Sequence, residues 1–169
     1  MPDAADTPLP SQLWKHLSSE RKAAAAEAFW TDENAAAEQA EVVAAIANRI
    51  KFRMKSVISM PLEKKTRHLV ALPAVSEGVA ARLLVAYHLA HQRPMMARFL
   101  DELGIPHEEG LIADENLEPP PQERLASAAK ALASAYPADD VSLYLSTLRW
   151  QDPETWGSLA DLAEARAAS

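Results

Sequence analysis

Residues 76–92 read SEGVAARLLVAYHLAHQ and contain the longest apolar run of this 169-residue chain. Ser76 is a suitable helix cap and Glu77 suits the first turn, because a helix N-terminus favours hydroxyl acceptors and negative charge. Apolar side chains from residue 79 to residue 90 cover most of the circumference of a helix built on this sequence. Such a helix has to be covered by other elements on most sides. The stretch therefore predicts a central apolar helix over residues 76–92.

The remainder of the chain is typical of an all-α protein. Alanine, the best helix former, is abundant, and four glycines are too few for the tight turns of a β-rich protein. The longest helical pattern runs from Asp32 to about Ile58, and the spacing of Val43, Ile46, Ile50, Met54 and Val57 places them on one apolar stripe. Gly104 followed by Ile105 and Pro106 is a helix stop signal. We expect seven to eight helices of unequal length, which favours an irregular or orthogonal bundle over a regular four-helix bundle.

The length of the chain predicts a single domain over residues 11–169, large enough to bury roughly 70% of its unfolded surface. Residues 1–10 are acidic and proline-rich, and we expect them to form a disordered or draped arm. Residues 106–121 predict an acidic, proline-rich loop, which is the only candidate hinge. We expect no second domain with a hydrophobic core of its own.

The absence of cysteine restricts the chemistry of the chain. It excludes disulfides, thiolate catalysis, iron–sulfur clusters and cysteine-ligated zinc. The first ten residues lack the apolar segment of a signal peptide, and the longest apolar run is too short to cross a bilayer. We therefore expect a cytoplasmic location.

The charges of the chain are strongly segregated. Residues 49–98 contain ten Lys and Arg but only two acids, a net charge of +8. Residues 1–48 carry a net charge of −5 and residues 99–169 a net charge of −10, so the overall charge of −7 hides a basic middle between two acidic flanks. Segregation of this kind indicates a charged partner, either inside the molecule or outside it.

The basic segment supplies the candidate residues for binding a partner or nucleic acid. On one continuous helix its charges would surround the helix axis instead of forming one face, and Phe52 would stack on a base or be covered by Leu69 or a neighbouring helix. The first interpretation is a solvated helix neutralised by the acidic flanks; the alternatives are docking of a protein or membrane surface, and binding of nucleic acid. The candidates are Arg49, Lys51, Phe52, Arg53, Lys55, Lys64, Lys65 and Arg67.

Histidines offer the only candidate metal site. His88 and His91 lie three residues apart on the central helix, so their side chains can share a metal, and His107 at the start of the acidic loop adds a third nitrogen. None of the five histidines belongs to a His-Glu-x-x-His or Glu-x-x-His motif. We expect these histidines to form hydrogen bonds at the edge of a buried helix, and we expect no cofactor.

The few aromatic and methionine residues are expected to serve the core. Trp14, Phe29, Trp30, Tyr144, Trp150 and Trp156 lie near the two ends of the chain, where they can anchor terminal helices. Met95 and Met96 are expected to fill gaps in the core. Arg82 and Arg93, on apolar helices, need carboxylate partners, which the acidic loop or Asp101 can provide.

Three functional hypotheses follow. The missing catalytic motifs favour a non-enzymatic helical interaction or regulatory module, which docks a protein partner or self-associates into a homo-oligomer. The first alternative is a nucleic-acid-associated protein that uses residues 49–67. The second is an enzyme or metal-binding protein with a site at His88, His91 and His107.

Overall fold

The structure is a computed structural model that describes residues 7–166. It confirms the all-α class, since 74% of the described residues are helical and the strands within residues 7–166 form a single two-stranded hairpin. This part of the chain has eleven α-helices where seven to eight are expected, in part because two predicted helices are interrupted. They are α1 (Pro10–His16), α2 (Ser19–Trp30), α3 (Ala36–Ile50), α4 (Met54–Ile58), α5 (Leu62–Val70), α6 (Glu77–His91), α7 (Arg93–Leu103), α8 (Gln122–Ala135), α9 (Ala138–Gln151), α10 (Pro153–Trp156) and α11 (Ala163–Arg166).

The described residues divide into two compact units. The N-terminal unit comprises residues 10–90, and the C-terminal unit comprises residues 91–166 together with residues 7–9. Along the chain, the boundary falls at Ala90 in the last turn of α6, while the candidate hinge at residues 106–121 lies inside the C-terminal unit. The single domain over residues 11–169 and its hinge stay predictions, and most of the expected arm lies outside the described residues.

In the N-terminal unit, α2 pairs with α5, and α3 packs against α4 and α5. Ser18 caps α2 by accepting a hydrogen bond from the Arg21 N–H at 3.2 Å. The chain after α2 is held by Gln39, whose side-chain amide donates to the carbonyls of Phe29 and Asp32 at 2.8 and 2.9 Å. These bonds satisfy backbone groups that the ends of a helix otherwise leave without partners.

Helix α3 ends where Lys51 adopts a left-handed conformation, with φ of 60° and ψ of 38°. The N–H groups of Lys51 and Phe52 both donate to the Ala47 carbonyl, an arrangement that glycine usually completes. The prediction of one continuous helix over residues 32–58 is therefore wrong. A separate short helix, α4, begins at Met54 and takes this side chain out of the predicted apolar stripe.

Helix α6 agrees with the helix predicted over residues 76–92. The Ser76 hydroxyl accepts a hydrogen bond from the Val79 N–H at 3.2 Å, as expected for a capping residue. The seven buried side chains of α6 cover more than half of its circumference, which fits a helix that has neighbours on more than one side. They are Val79, Ala80, Leu83, Leu84, Ala86, Tyr87 and His88.

In the C-terminal unit, α7 pairs with α8, and α9 packs against α8, α10 and α11. Gly104 ends α7 with φ of 70°, and the Ile105 N–H donates to the Leu100 carbonyl at 2.9 Å, which confirms the predicted stop signal. Asp152 followed by Pro153 predicts the start of one last helix, but a 3₁₀ helix over Gly157–Asp161 separates α10 from α11.

Aromatic side chains form the centre of this unit. The ring of Phe99 lies 5.6 Å from that of Tyr144 and 5.9 Å from that of Trp156, and all three residues are buried. Burial raises the pKa of the Tyr144 hydroxyl, because a low-dielectric environment disfavours the phenolate. Of the predicted aromatic anchors, Trp14, Phe29, Tyr144 and Trp156 are buried, whereas Trp30 and Trp150 are partly exposed; Met95 and Met96 are buried as expected.

Part of the expected acidic loop forms a β-hairpin. Strands β1 (His107–Glu108) and β2 (Leu111–Ile112) are antiparallel, with Glu108 opposite Leu111. Glu109 and Gly110 both have positive φ, of 50° and 89°, which is the backbone of a tight two-residue hairpin turn. A Cβ atom on Gly110 would lie 2.8 Å from the Cβ of Met96, so glycine is what allows the hairpin to approach α7.

Candidate interaction surface

Short helix α4 and the residues before it carry a cluster of exposed apolar and basic side chains. Phe52, Met54 and Ile58 are 51%, 48% and 59% exposed. Lys51, Arg53 and Lys55 alternate with them and are exposed as well. We call these six side chains the basic–apolar patch. Within residues 7–166, only five large hydrophobic side chains are exposed, and three of them belong to this patch.

The local backbone explains why these side chains point to solvent. The left-handed turn at Lys51 redirects the chain after α3, and α4 has only five residues. Val57 is fully buried and anchors α4, whereas Met54 and Ile58, four residues apart, lie on the same side of the helix. A helix this short presents one apolar residue inward and leaves the others at the surface.

A groove lies beside the patch, at the C-terminal end of α3. It has a volume of about 430 Å³ and is lined by Ala45, Asn48, Arg49, Lys51, Leu72, Pro73 and Ala74. The guanidinium of Arg49 donates to the Ala71 carbonyl, which ties its side chain to the end of α5. The lining contains two cations and no carboxylate, so the groove suits a negatively charged group flanked by apolar atoms.

The seven cations between residues 49 and 67 have no carboxylate within ion-pair distance among the described residues. The interpretation that the acidic flanks neutralise them through ion pairs is therefore not supported. Lys65 is partly buried and lies 5.0 Å from the ring centre of Trp30 in a cation–π contact. The other six cations are exposed: Arg49, Lys51, Arg53, Lys55, Lys64 and Arg67.

The structure brings only some of the candidate residues together. Lys51 is shared by the groove and the patch, Arg49 belongs to the groove, and Phe52, Arg53 and Lys55 belong to the patch. Lys64 and Arg67 are exposed on α5 and do not line the groove. The expectation that Phe52 is covered by Leu69 or a neighbouring helix is wrong, because its side chain is half exposed.

Sequence reasoning missed Met54 and Ile58 as surface residues. It placed Met54 on an apolar stripe because it extended α3 through Lys51. The alternation of basic and apolar residues in Lys-Phe-Arg-Met-Lys, residues 51–55, is a usable signal, because a helix with one buried face does not alternate at every residue. Asn48 and the residues after α5 that complete the groove carry no such signal, since only the packing of α3 and α5 brings them together.

Within residues 7–166, no group of three or more potential metal ligands comes together. In the neutral ring of His107, Nδ1 accepts from the Gly110 N–H at 3.1 Å, which leaves Nε2 to donate to the Asp101 carboxylate at 2.7 Å. His107 thus uses both ring nitrogens to tie the hairpin to α7. His88 is buried and His91 is exposed. A metal site at His88, His91 and His107 stays a prediction.

The expectation that Arg82 and Arg93 pair with carboxylates is confirmed, but only Arg93 finds its partner in the acidic loop. Arg82 lies 3.5 Å from the Glu38 carboxylate in the N-terminal unit. Arg93 lies 3.8 Å from the carboxylate of Glu109 and also donates to its carbonyl at 3.2 Å. These arginines are structural, in contrast to the cations of the patch.

None of the helices within residues 7–166 is long and apolar enough to cross a membrane. Comparison with known proteins finds no family model, no curated protein sequence and no solved structure that matches this chain.

Proposed function

We propose that this chain is a non-enzymatic protein-interaction module that docks an acidic partner segment carrying apolar side chains. The observation behind the proposal is that Phe52, Met54 and Ile58 are exposed within seven residues and alternate with cations that lack carboxylate partners in the described structure. Surface apolar residues are common singly, but a contiguous apolar patch with a charged rim is typical of an interaction site.

The apolar part of the patch supplies the affinity. Covering the exposed portion of each side chain contributes on the order of 1 kcal/mol, since full burial of such a side chain contributes about 1.5–3 kcal/mol. Aromatic and methionine side chains are enriched at protein interfaces for this reason. Met54 also adapts its shape to the partner, because its side chain is flexible and polarisable.

The cations of the patch favour a partner with acidic side chains. Between residues 42 and 62 the sequence contains Arg49, Lys51, Arg53 and Lys55 and no acid. An acidic segment is attracted to these cations over roughly 10 Å at moderate salt, and a basic one is repelled. The groove next to Lys51 then accommodates a carboxylate side chain of the partner between its two cations.

A protein partner fits these features better than nucleic acid does. Binding of single-stranded nucleic acid uses aromatic platforms along a basic groove, and the patch has one aromatic residue beside two aliphatic ones. The net charge of −7 also repels a polyanion once it extends beyond the basic segment. The nucleic-acid alternative and an anionic membrane surface are therefore outcomes that the test has to separate.

The test is a titration of the full chain, followed through backbone amide NMR signals, with three defined probes. The probes are a short helical peptide of Glu and Leu, oligo(U) RNA, and vesicles of phosphatidylcholine with phosphatidylserine. We expect the peptide to shift the signals of residues 51–58 and to bind more tightly than the other two. Binding of RNA or vesicles without binding of the peptide would overturn the proposal.

Variants assign the binding to the patch. Phe52→Ser combined with Ile58→Ser should weaken peptide binding about tenfold or more, which corresponds to about 1.4 kcal/mol. Arg53→Glu combined with Lys55→Glu should weaken it similarly and abolish its dependence on salt. Lys130→Glu, a charge reversal at an exposed position on α8, is the matched control and should bind like the unmodified chain. All these positions are exposed, so thermal unfolding should be nearly unchanged.

A further inference from the structure

Resting on the proposed function, we infer that the acidic segment docked on the patch is the hairpin of a second copy of this chain. The hairpin belongs to a stretch from residue 99 to residue 121 that contains seven acids and no Lys or Arg. The patch belongs to a stretch with the opposite composition. The chain thus carries a basic docking surface and an acidic hairpin with an exposed apolar side chain that complements it.

Exposed apolar side chains mark the same two surfaces. Leu111 in β2 is 44% exposed, and with the three apolar residues of the patch it accounts for four of the five exposed large hydrophobic side chains within residues 7–166. Glu108 lies directly opposite Leu111 in the hairpin, so the two side chains share one face. A carboxylate next to an apolar side chain matches the alternation of cations with Phe52 and Met54.

Contacts within the C-terminal unit hold the hairpin in a defined conformation. Gly110 packs closely on Met96, and Arg93 donates to the Glu109 carbonyl at 3.2 Å. His107 bonds to both the turn and Asp101. Because the hairpin is already ordered, it loses little conformational entropy on docking, which favours association.

The contact joins different surfaces of the two copies, so it is heterologous. Each copy offers one patch and one hairpin, and successive copies can add head to tail until a ring closes. The surfaces are small, and interfaces of this size are weak and transient. Association should therefore increase with concentration and weaken at high salt.

Sedimentation velocity of the full chain over a wide concentration range tests the inference. The unmodified chain should associate in low salt. A patch variant (Arg53→Glu, Lys55→Glu and Ile58→Ser) and a hairpin variant (Glu108→Ser and Leu111→Ser) should each associate about tenfold more weakly or not at all. The controls Lys130→Glu and Glu27→Lys reverse exposed charges on α8 and α2 and should associate like the unmodified chain.

Mixing the two variants provides the decisive measurement. The patch variant keeps its hairpin and the hairpin variant keeps its patch, so an equimolar mixture should form a heterodimer that does not grow further. An inert mixture, or association that either variant retains in full, would overturn the inference. If the unmodified chain stays monomeric but the Glu/Leu peptide still shifts residues 51–58, self-association is wrong and the proposed function stands. If the peptide also fails to bind, both are wrong.

Discussion

Two segments of this protein use the same residue types in opposite environments. Residues 51–55 read KFRMK, and residues 93–99 read RPMMARF. In α7, Met95, Met96 and Phe99 are buried, and the two arginines pair with Glu109 and Glu102. In the basic–apolar patch, Phe52 and Met54 are half exposed, and the cations have no carboxylate partner in the described chain.

The difference lies in the backbone and not in composition. Helix α7 has eleven residues, so its apolar positions recur on one face and its arginines fall near carboxylates of the same unit. The patch follows a left-handed turn and continues into a five-residue helix that buries Val57. One segment is therefore part of the core, and the other is exposed at the surface.

The largest expected difference between the two segments is the loss of stability when Phe99 or Phe52 is replaced by alanine. Phe99→Ala removes a fully buried ring that contacts Tyr144 and Trp156, and should lower the free energy of unfolding by about 3–5 kcal/mol. Phe52→Ala should change it by less than about 0.5 kcal/mol while weakening binding of the acidic peptide. Urea unfolding monitored by circular dichroism measures the free energy of unfolding of both variants. Equal losses for the two variants would mean that Phe52 is a core residue.

A methyl group on the hairpin glycine tests how the hairpin packs on α7. Gly110→Ala forces a Cβ against Met96 and requires a positive φ, and should reduce stability by roughly 1–3 kcal/mol. Gly78→Ala is the control, because only the Ser76 Oγ lies near its added Cβ, at 4.0 Å, and helical alanine should be neutral or stabilising. Thermal unfolding of the two variants measures this difference in stability. A Gly110→Ala variant as stable as the unmodified chain would contradict the close packing of the hairpin on α7.

Relief of the left-handed turn should separate stability from binding. Lys51→Gly removes the steric penalty of a side chain at φ of 60° and should stabilise the protein by about 1 kcal/mol. It also removes a cation shared by the groove and the patch, so peptide affinity should fall. Lys51→Ala keeps the strain and serves as the control, with weaker binding and no gain in stability. A Lys51→Gly variant that binds normally would show that this cation does not contact the partner.

The smallest difference in stability is expected when one arginine of each segment, Arg98 or Arg53, is replaced by glutamine. Arg98→Gln breaks the pair with Glu102 at 3.0 Å on α7 and should cost about 0.3–0.5 kcal/mol, the usual contribution of such a helical pair. Arg53→Gln should leave the unfolding free energy unchanged and slow association with the acidic peptide. A double-mutant cycle with Glu102→Gln isolates the coupling of Arg98. Stability lost on Arg53→Gln would reveal an internal partner for that cation.

Sequence patterns predicted the elements whose signals are local. The cap at Ser76 and the stop at Gly104 were readable, because a hydroxyl before a helix and a glycine after one act within a few residues. The break at Lys51 was not predictable from the sequence, because lysine has no preference for left-handed backbone. The hairpin was missed as well, since Glu109 occupies a turn position that asparagine usually takes.

Composition and short-range spacing are enough to establish the helical class, the segregated charges, the lack of cysteine and the basic candidate residues, because none of these depends on long-range contacts. The tertiary structure alone decided which cations were paired, that Phe52, Met54 and Ile58 lie at the surface, and that Arg49 and Lys51 line one groove. Those outcomes depend on contacts between residues far apart in the chain and on a turn at Lys51 that local preference does not favour. The proposed docking surface exists because packing left it uncovered.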